Sequence, residues 1–428
     1  MTTMTRPETR AAVASKYAAI MMKRCRELAQ CTETPGEILR TFLSPAMEEV
    51  HRRVQPWMEA AGMAVVVDRA GNLRGVAPAS GSDQLPRLLI GSHLDTVPNA
   101  GAYDGVLGVV TGLALVEASA EQKYPFAIEV IGFSDEEGTR FGAPFLGSRA
   151  VVGDLRGKLL ECVDGKGVSV AEAVTHYAAQ RPATVEATLS AKSAAYLEFH
   201  IEQGPVLENK NLALGIVEGL AGQSRCRVEF HGHAGHAGTN PMKLRKDALA
   251  GGAEWMTRVE QITAHFENAV ATIGQISVEP GGVNVIPGLV RCSLDVRHAE
   301  DSVRTALVQA LFCEASAVGA KRGLDVDAEQ YHEHAAVRLD PGLVAMAEQA
   351  AACAGYSTIR MTSGAGHDAM VIAPHVPSAM VFLRNPGGIS HHPDESAKEE
   401  DVAAAIHLGL CFLDRFAEYV TEKEKNRA

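Results

Sequence analysis

Leu88-Leu89-Ile90-Gly91-Ser92-His93-Leu94-Asp95-Thr96-Val97-Pro98, followed by Gly101-Ala102-Tyr103-Asp104-Gly105, is an apolar run that gives way to a histidine and two aspartates. Short runs of this kind read as buried strands, with the polar residues at the strand's carboxyl end. Two further runs have the same form: residues 128–133 lead into Asp135-Glu136-Glu137, and residues 197–201 carry His200 and lead into Glu202 and Gln203. Helical spacing of apolar residues over 11–29, 45–61 and 108–120 interleaves with these strands. The alternation predicts the α/β class, a mostly parallel sheet with flanking helices. Ligands of such sheets bind beyond the carboxyl ends of the strands, so the three polar clusters are expected to converge in one crevice.

Between 219 and 334 the pattern changes. A strand at 223–231, a helix at 244–266, strands at 269–278 and 289–297, a helix at 300–318 and a strand at 324–331 give the order βαββαβ of a small ferredoxin-like layer pair. Helices return at 341–355 and 400–419, with a strand at 379–383 between them. The expected organisation is therefore a larger domain, 1–218 with 335–428, interrupted by an insert, 219–334.

Length agrees, since 428 residues exceed one ordinary core. Hydrophobic residues at 46% and charged residues at 21% describe a soluble, folded chain. Acidic side chains outnumber basic ones by 52 to 40, a net charge of −12 that repels phosphate backbones, so nucleic acid is excluded as a partner class. An anionic substrate would need locally placed cations. Residues 1–10 are too polar for a signal peptide and no run approaches the ~20 apolar residues of a membrane span, which predicts a cytoplasmic protein without membrane contact. Eight cysteines without a C-x-x-C pair predict reduced thiols that are not metal ligands. Sixteen histidines, several beside carboxylates, are what the composition leaves to be explained.

A histidine leaving a buried strand can offer a ring nitrogen to a metal while Asp95, two residues on, accepts its other N–H. Asp104, between glycines, can bridge two ions. Three consecutive acids after a strand are costly to bury unless a cation sits among them, and adjacent glutamates can divide metal binding from proton transfer. Strand alternation puts Glu198, His200 and Glu202 on one face. The glycine-rich run Gly387-Gly388-Ile389-Ser390-His391-His392-Pro393-Asp394-Glu395 adds two histidines. Alone, the first cluster reads as a strand-end histidine with a solvated aspartate, the second as a solvated turn and the last as a surface loop, whereas the row in the central strand is improbable unless it lines a site; four together supply histidine and carboxylate ligands, a set that suits zinc or manganese in an open catalytic site.

These segments resemble the dinuclear-metal amidohydrolases of the hydantoinase/carbamoylase type, the family of allantoate amidohydrolase, N-carbamoyl-L-amino-acid hydrolase and β-alanine synthase, related to the aminoacylase and carboxypeptidase-G metallopeptidases. The match runs in order from Gly91 to Glu395. It implies a zinc-exopeptidase-like catalytic domain whose insert is a lid and dimerisation domain. It implies two divalent metal ions, zinc or manganese, one held by His93, Asp104 and His200 and the other by Asp104, Glu137 and His391, with Asp104 bridging. His391 is assigned by its place after Gly-Ile-Ser, with His392 as the alternative. Glu136 matches the general base that takes a proton from the attacking water, and Asp95 the aspartate behind His93.

In the insert, His231-Gly232-His233-Ala234-Gly235-His236-Ala237-Gly238-Thr239-Asn240-Pro241-Met242 resembles the family's His-Ala-Gly-Thr-Thr-Pro-Met loop, with Asn240 in place of a threonine. The resemblance implies a homodimer in which His236 enters the neighbouring active site and polarises the scissile carbonyl. Read by themselves, the three histidines also suggest a metal site, ranked low for want of a nearby carboxylate. Asn284 and Arg297 match the family's substrate-carboxylate site, and Gln203 a contact to the ureido or carboxylate group. His367, with Asp368, is expected to wall the site, and Arg384 to add a donor to substrate. Arg245 and Asp247 read as a structural ion pair. The implied reaction is hydrolysis of a carbamoyl C–N bond on a small ureido carboxylate. Gly219-Leu220-Ala221-Gly222-Gln223 and Phe382-Leu383-Arg384-Asn385 favour allantoate. The alternatives are an N-carbamoyl-L-amino-acid hydrolase, a ureidoglycolate amidohydrolase, and an inert binding homologue, which would be expected to have lost Glu136 or a ligand.

Overall fold

The computed structural model describes residues 7–79, 85–181 and 184–425. The reading of the first ten residues therefore lies partly outside the described residues. The chain forms two compact units, one of Met1–Glu218, Arg338–Met361 and Gly366–Ala428, the other of Gly219–Val337 with Thr362–Ala365. The second unit thus ends at 337 rather than 334, and it takes in four residues from beyond the expected insert.

The first unit is built on a sheet whose centre is parallel. Ala127–Phe133, Arg87–His93, Ser193–Ile201 and Ser378–Leu383 lie side by side in that order, all parallel. Antiparallel strands flank this centre, Leu73–Ala77 and Ala64–Val67 on one side and Leu214–Leu220 on the other. The central strands are buried almost end to end, which is why they read as continuous apolar runs instead of alternating ones. Helix Val106–Ala118 is buried from Val106 to Val116, and its sequence is correspondingly apolar all round. It packs on the sheet under the long helices Pro7–Leu28 and Glu399–Lys425. Because the four parallel strands point the same way, the segments that follow them, Leu94–Asp104, Ser134–Glu137, Glu202–Gln203 and Arg384–Glu395, emerge at one edge of the unit.

The second unit is a separate antiparallel sheet in the order Ile276–Glu279, Leu289–His298, Gly222–His231, Asp325–His334, with Val270–Thr272 also paired to Leu289–His298. Two helices, Ala248–Thr263 and Asp301–Arg322, cover one face. Alternate residues of Gly222–His231 and Leu289–His298 point into the core formed with those helices, around Phe230, Trp255, Val290, Leu294 and Leu311. Trp255 donates its indole N–H to the Leu311 carbonyl at 3.0 Å. The order is βαββαβ, with differences at the element ends. The first helix starts at Ala248 instead of 244 because Asp247 caps it, accepting from the Ala250 amide, while Met242–Leu244 is a short 3-10 turn. Arg245 donates to the Ala237 and Asn240 carbonyls, so the expected Arg245–Asp247 ion pair is replaced by a cap and a loop clasp. The strand expected over 269–278 is two pieces with Gly274 between them. Helix Asp301–Arg322 runs a turn further than expected and stops where Gly323 turns left-handed, φ +66°. Among the described residues no helix is long and apolar enough to cross a membrane.

Candidate metal centre and active site

At the common edge of the parallel strands, His93 and His200 face each other with their Nε2 atoms 3.4 Å apart. Each ring is fixed from behind: Nδ1 of His93 lies 3.1 Å from the Asp95 carbonyl, and Nδ1 of His200 lies 2.9 Å from the Ile201 carbonyl. A carbonyl can only accept, so each Nδ1 carries a proton, and each Nε2, facing the interior, is the nitrogen available to a metal. Asp104 closes the group, with Oδ1 3.1 Å from His200 Nε2 and 3.7 Å from His93 Nε2. Gly105 is what permits this approach. Its φ is +66°, and a Cβ there would lie 2.4 Å from the His93 ring.

The other oxygen of Asp104 faces a second set: His391 Nε2 is 3.4 Å from Asp104 Oδ2 and 3.4 Å from Glu137 Oε1. The ligand atoms of His93, Asp104 and His200, of Asp104, Glu137 and His391, and of His93, Glu136 and Glu137 each lie within 4.8 Å of one another. His391, half-exposed, has a left-handed backbone, φ +57°. His392 accepts from the Asp394 amide at 3.2 Å and joins none of these groups.

Burial by itself raises the Asp104 carboxyl, but His200, His391 and His93 outweigh it and hold it well below the usual carboxylate range. The carboxyl of Glu136 is pushed well up by burial and then by Glu137, and that of Glu137 is pushed up to about 7 by burial and then by Asp104. The pocket therefore concentrates negative charge and calls for a cation beside Asp104. Asp104 Oδ1 is buried without a hydrogen-bond partner. A divalent metal satisfies that oxygen and the facing ring nitrogens together, and the donor set, imidazole and carboxylate without thiolate, fits zinc or manganese.

The remaining expected residues of this unit fall as follows. Asp95 lies behind His93, but its carboxylate, 3.4 Å from Nδ1, is the more distant partner because both its oxygens accept from the amides of Glu136 and Glu137. Glu198 is held by Ser92, Tyr196 and the Ala369 amide, while Glu202 leaves the strand face to cap Val206–Asn209. Gln203, at φ +56°, donates to Asp104 Oδ2 at 2.9 Å and to Ser390 at 3.2 Å. His367 is buried edge-on against the His200 ring, centroids 4.4 Å apart, and burial followed by the charge of His200 holds it well below the ordinary imidazole value. Asp368 is buried beside it in sequence. The expectation for Arg384 is corrected: its guanidinium is bound bidentately by Asp401 at 2.7 and 2.8 Å, with Glu400 and Asn211 at 3.3 Å, which leaves it a structural role.

In the second unit, His236 lies on a two-residue strand paired with Val285–Ile286, and the Ala237 amide donates to the Asn284 carbonyl at 2.9 Å, so His236 and Asn284 share one exposed ribbon. His236 Nδ1 accepts from the Gly238 amide at 3.0 Å, which places the ring proton on Nε2, ready to donate. Arg297 donates to Asp295 at 2.8 and 3.3 Å and to the Gly364 carbonyl at 2.7 Å. His231, half-buried, has the carboxylates whose absence weighed against a metal reading, Asp327 at 3.2 Å and Glu229 at 3.6 Å, but it joins none of the groups placed for a metal among the described residues.

Two residues of the first unit escaped the sequence reading. Arg40, 1% exposed, donates to the carbonyls of Leu94, Leu28 and Cys31 and so holds the turn between His93 and Asp95. The only signal was a lone cation in the apolar run Ile38-Leu39-Arg40-Thr41-Phe42-Leu43. Glu395, quoted within the last motif but given no task, accepts from the amides of Tyr103 and Asp104.

The sequence profile of Peptidase family M20/M25/M40 matches residues 89–415, the span that contains every candidate ligand described above. The chain belongs to that family. It is a hydrolase with histidines and carboxylates placed for a divalent metal. An allantoate deiminase of Arabidopsis thaliana is 38% identical over 428 residues, covering 91% of this chain and 80% of the relative. An N-carbamoyl-L-amino acid amidohydrolase of Geobacillus stearothermophilus is 37% identical over 402 residues, covering 91% and 96%. Among solved structures, a hydantoinase/carbamoylase family amidase from Burkholderia ambifaria superposes with a TM-score of 0.86 at 34% identity, covering 94% of this chain and 97% of that one.

Proposed function

We propose that the protein hydrolyses the carbamoyl C–N bond of a small ureido carboxylate, with allantoate as the first candidate substrate and two divalent ions, zinc or manganese, as cofactors. The observation that carries this reading is Asp104 set between two groups of ligands, with Glu136 beside them. His93, Asp104 and His200 would hold one ion, and Asp104, Glu137 and His391 the other. Such ions supply Lewis acidity, which makes water a nucleophile near neutral pH and polarises a carbonyl. Glu136, its carboxyl raised by burial, is suited to take a proton from the attacking water and hand it to the leaving nitrogen. His236 Nε2–H is suited to donate to the oxygen on which charge develops. In this reading His236 comes from a second copy of the chain, so the active species is a homodimer. Gln203, Asn284 and Arg297 would bind the substrate, Arg297 exchanging part of its bonding with Asp295 for the substrate carboxylate, and His367 would wall the site. Free thiols throughout fit a reducing cytoplasm.

The choice of allantoate rests on the Gly219–Gln223 segment and on relatives named for it; Arg384, committed to Asp401, no longer contributes. The nearly equal identity to an N-carbamoyl-L-amino acid amidohydrolase, 37% against 38%, keeps that substrate class as the second reading. Ammonia release measured over a panel of allantoate, ureidoglycolate and N-carbamoyl-L-amino acids, with manganese and with zinc, separates them.

A further inference from the structure

We propose that Glu395 is a positioning residue that seats the Asp104 backbone and ties it to the loop bearing His391, so that the two ligand groups hold their spacing. The inference rests on reading Asp104 and His391 as metal ligands.

Glu395 Oε1 accepts from two consecutive buried amides, Tyr103 N at 2.8 Å and Asp104 N at 3.0 Å, 292 and 291 residues away in the sequence. The second oxygen, Oε2, faces the Ser390 hydroxyl at 3.4 Å, and that hydroxyl is 3.0 Å from Asp104 Oδ2. Gln203 Nε2 completes the circuit at Asp104 Oδ2 and Ser390 Oγ. Glu395 therefore holds the main chain of Asp104, while Ser390, which it touches, and Gln203 beyond it hold the side chain. Its own amide donates to the His392 carbonyl at 3.0 Å, closing the turn from which His391 projects. The Gly101–Gly105 loop lies directly on this side chain: a Cβ at Gly101 would come within 2.3 Å of Glu395 Cβ. No other carboxylate among the described residues accepts from the Asp104 amide. Displacing Glu395 would release the loop that supplies a ligand to both groups, without touching a ligand.

The test separates the acceptor geometry of Glu395 from its charge. Glu395→Gln keeps an oxygen for the two amides and can place its NH2 against Ser390. Glu395→Asp keeps the charge but falls one methylene short. Metal-free protein is titrated calorimetrically with Mn2+, and thermal unfolding without metal is recorded alongside. Glu395→Asp and Glu395→Ala are expected to bind Mn2+ about 10–100-fold more weakly than the wild type, the usual cost of removing a residue behind a ligand. Glu395→Gln is expected to stay within about threefold, the scale of one modest hydrogen bond. Gly101→Ala, which pushes the loop off Glu395 from the opposite side, is expected to weaken binding as Glu395→Asp does, and it carries the test if Glu395→Ala does not fold. Wild-type Mn2+ affinity in Glu395→Asp and Gly101→Ala, or loss in Glu395→Gln with retention in Glu395→Asp, overturns the proposal. Because Mn2+ binding is read without substrate, inactivity on every ureido compound would remove the proposed reaction and leave this relation standing.

Discussion

The carboxylate of Asp95 accepts the backbone N–H of Glu136 at 2.9 Å, and its other oxygen accepts that of Glu137 at 3.1 Å. One buried side chain at the end of one strand thus sets the positions of the two glutamates after the next. Asp95→Ala leaves both amides without acceptors and lets Glu136 and Glu137 drift. Turnover is expected to fall about 10–100-fold, with weaker metal retention on dialysis. Unchanged kcat and metal content in the folded variant would show that the glutamates need no such support.

Arg40 is a buried cation that donates to three carbonyls. Burial lowers its guanidinium to about 10, so it stays charged at neutral pH. Arg40→Met fills similar space but strands the carbonyls of Leu94 and Cys31, while that of Leu28 keeps the Cys31 amide. A loss of about 2 kcal/mol or more is expected, at about 1–3 kcal/mol for each buried group left unpaired. Chemical denaturation of the metal-free protein measures it, and a loss below about 1 kcal/mol would mean that the loop re-forms without the arginine.

His51, buried in helix Pro45–Ala60, is held down to about 4 by burial and then by the charge of Arg181, and its Nε2 has no partner. The unfolded chain protonates this ring near ~6.5, before the folded one does. Stability is therefore intact above about pH 6.5 and falls as the pH drops towards about 4, by up to about 3 kcal/mol from this group. His51→Leu is expected to flatten the fall between pH 7.5 and pH 5 in metal-free melts. An identical slope in the variant would place the acid sensitivity elsewhere.

If His236 serves the neighbouring active site, two dead variants should rescue each other. His236→Ala and Glu136→Gln, each inactive alone, are expected to recover about a quarter of wild-type activity when unfolded together and refolded as an equal mixture, since half the dimers are mixed and each holds one complete site. No recovery, with mixed dimers present by mass, would place His236 in its own chain's site.

The parallel sheet and the four polar segments that it brings to one edge were legible because their signals are local: an apolar run, then histidine and acid within a few residues. The conformation of His391 was not, since nothing in His391-His392 says which of the two takes a left-handed backbone. Helix starts were misjudged where a cap, such as Asp247, overrode periodicity. Arg384 was misread because its partner Asp401 lies on another element, and a bidentate pair formed through tertiary packing leaves no trace in spacing. Arg40 and Glu395 were missed for the same reason, their bonds spanning 54 and 292 residues.

The central claim is that Glu136 moves the proton in a metal-dependent cleavage of a ureido C–N bond. Ammonia release from allantoate by the manganese-loaded protein, set beside Glu136→Gln at equal metal content, tests it most directly. The account predicts release by the wild type, abolished by chelation, and a loss of 10²–10⁴-fold in Glu136→Gln with metal still bound. Wild-type turnover in Glu136→Gln, or in protein stripped of metal, would contradict it.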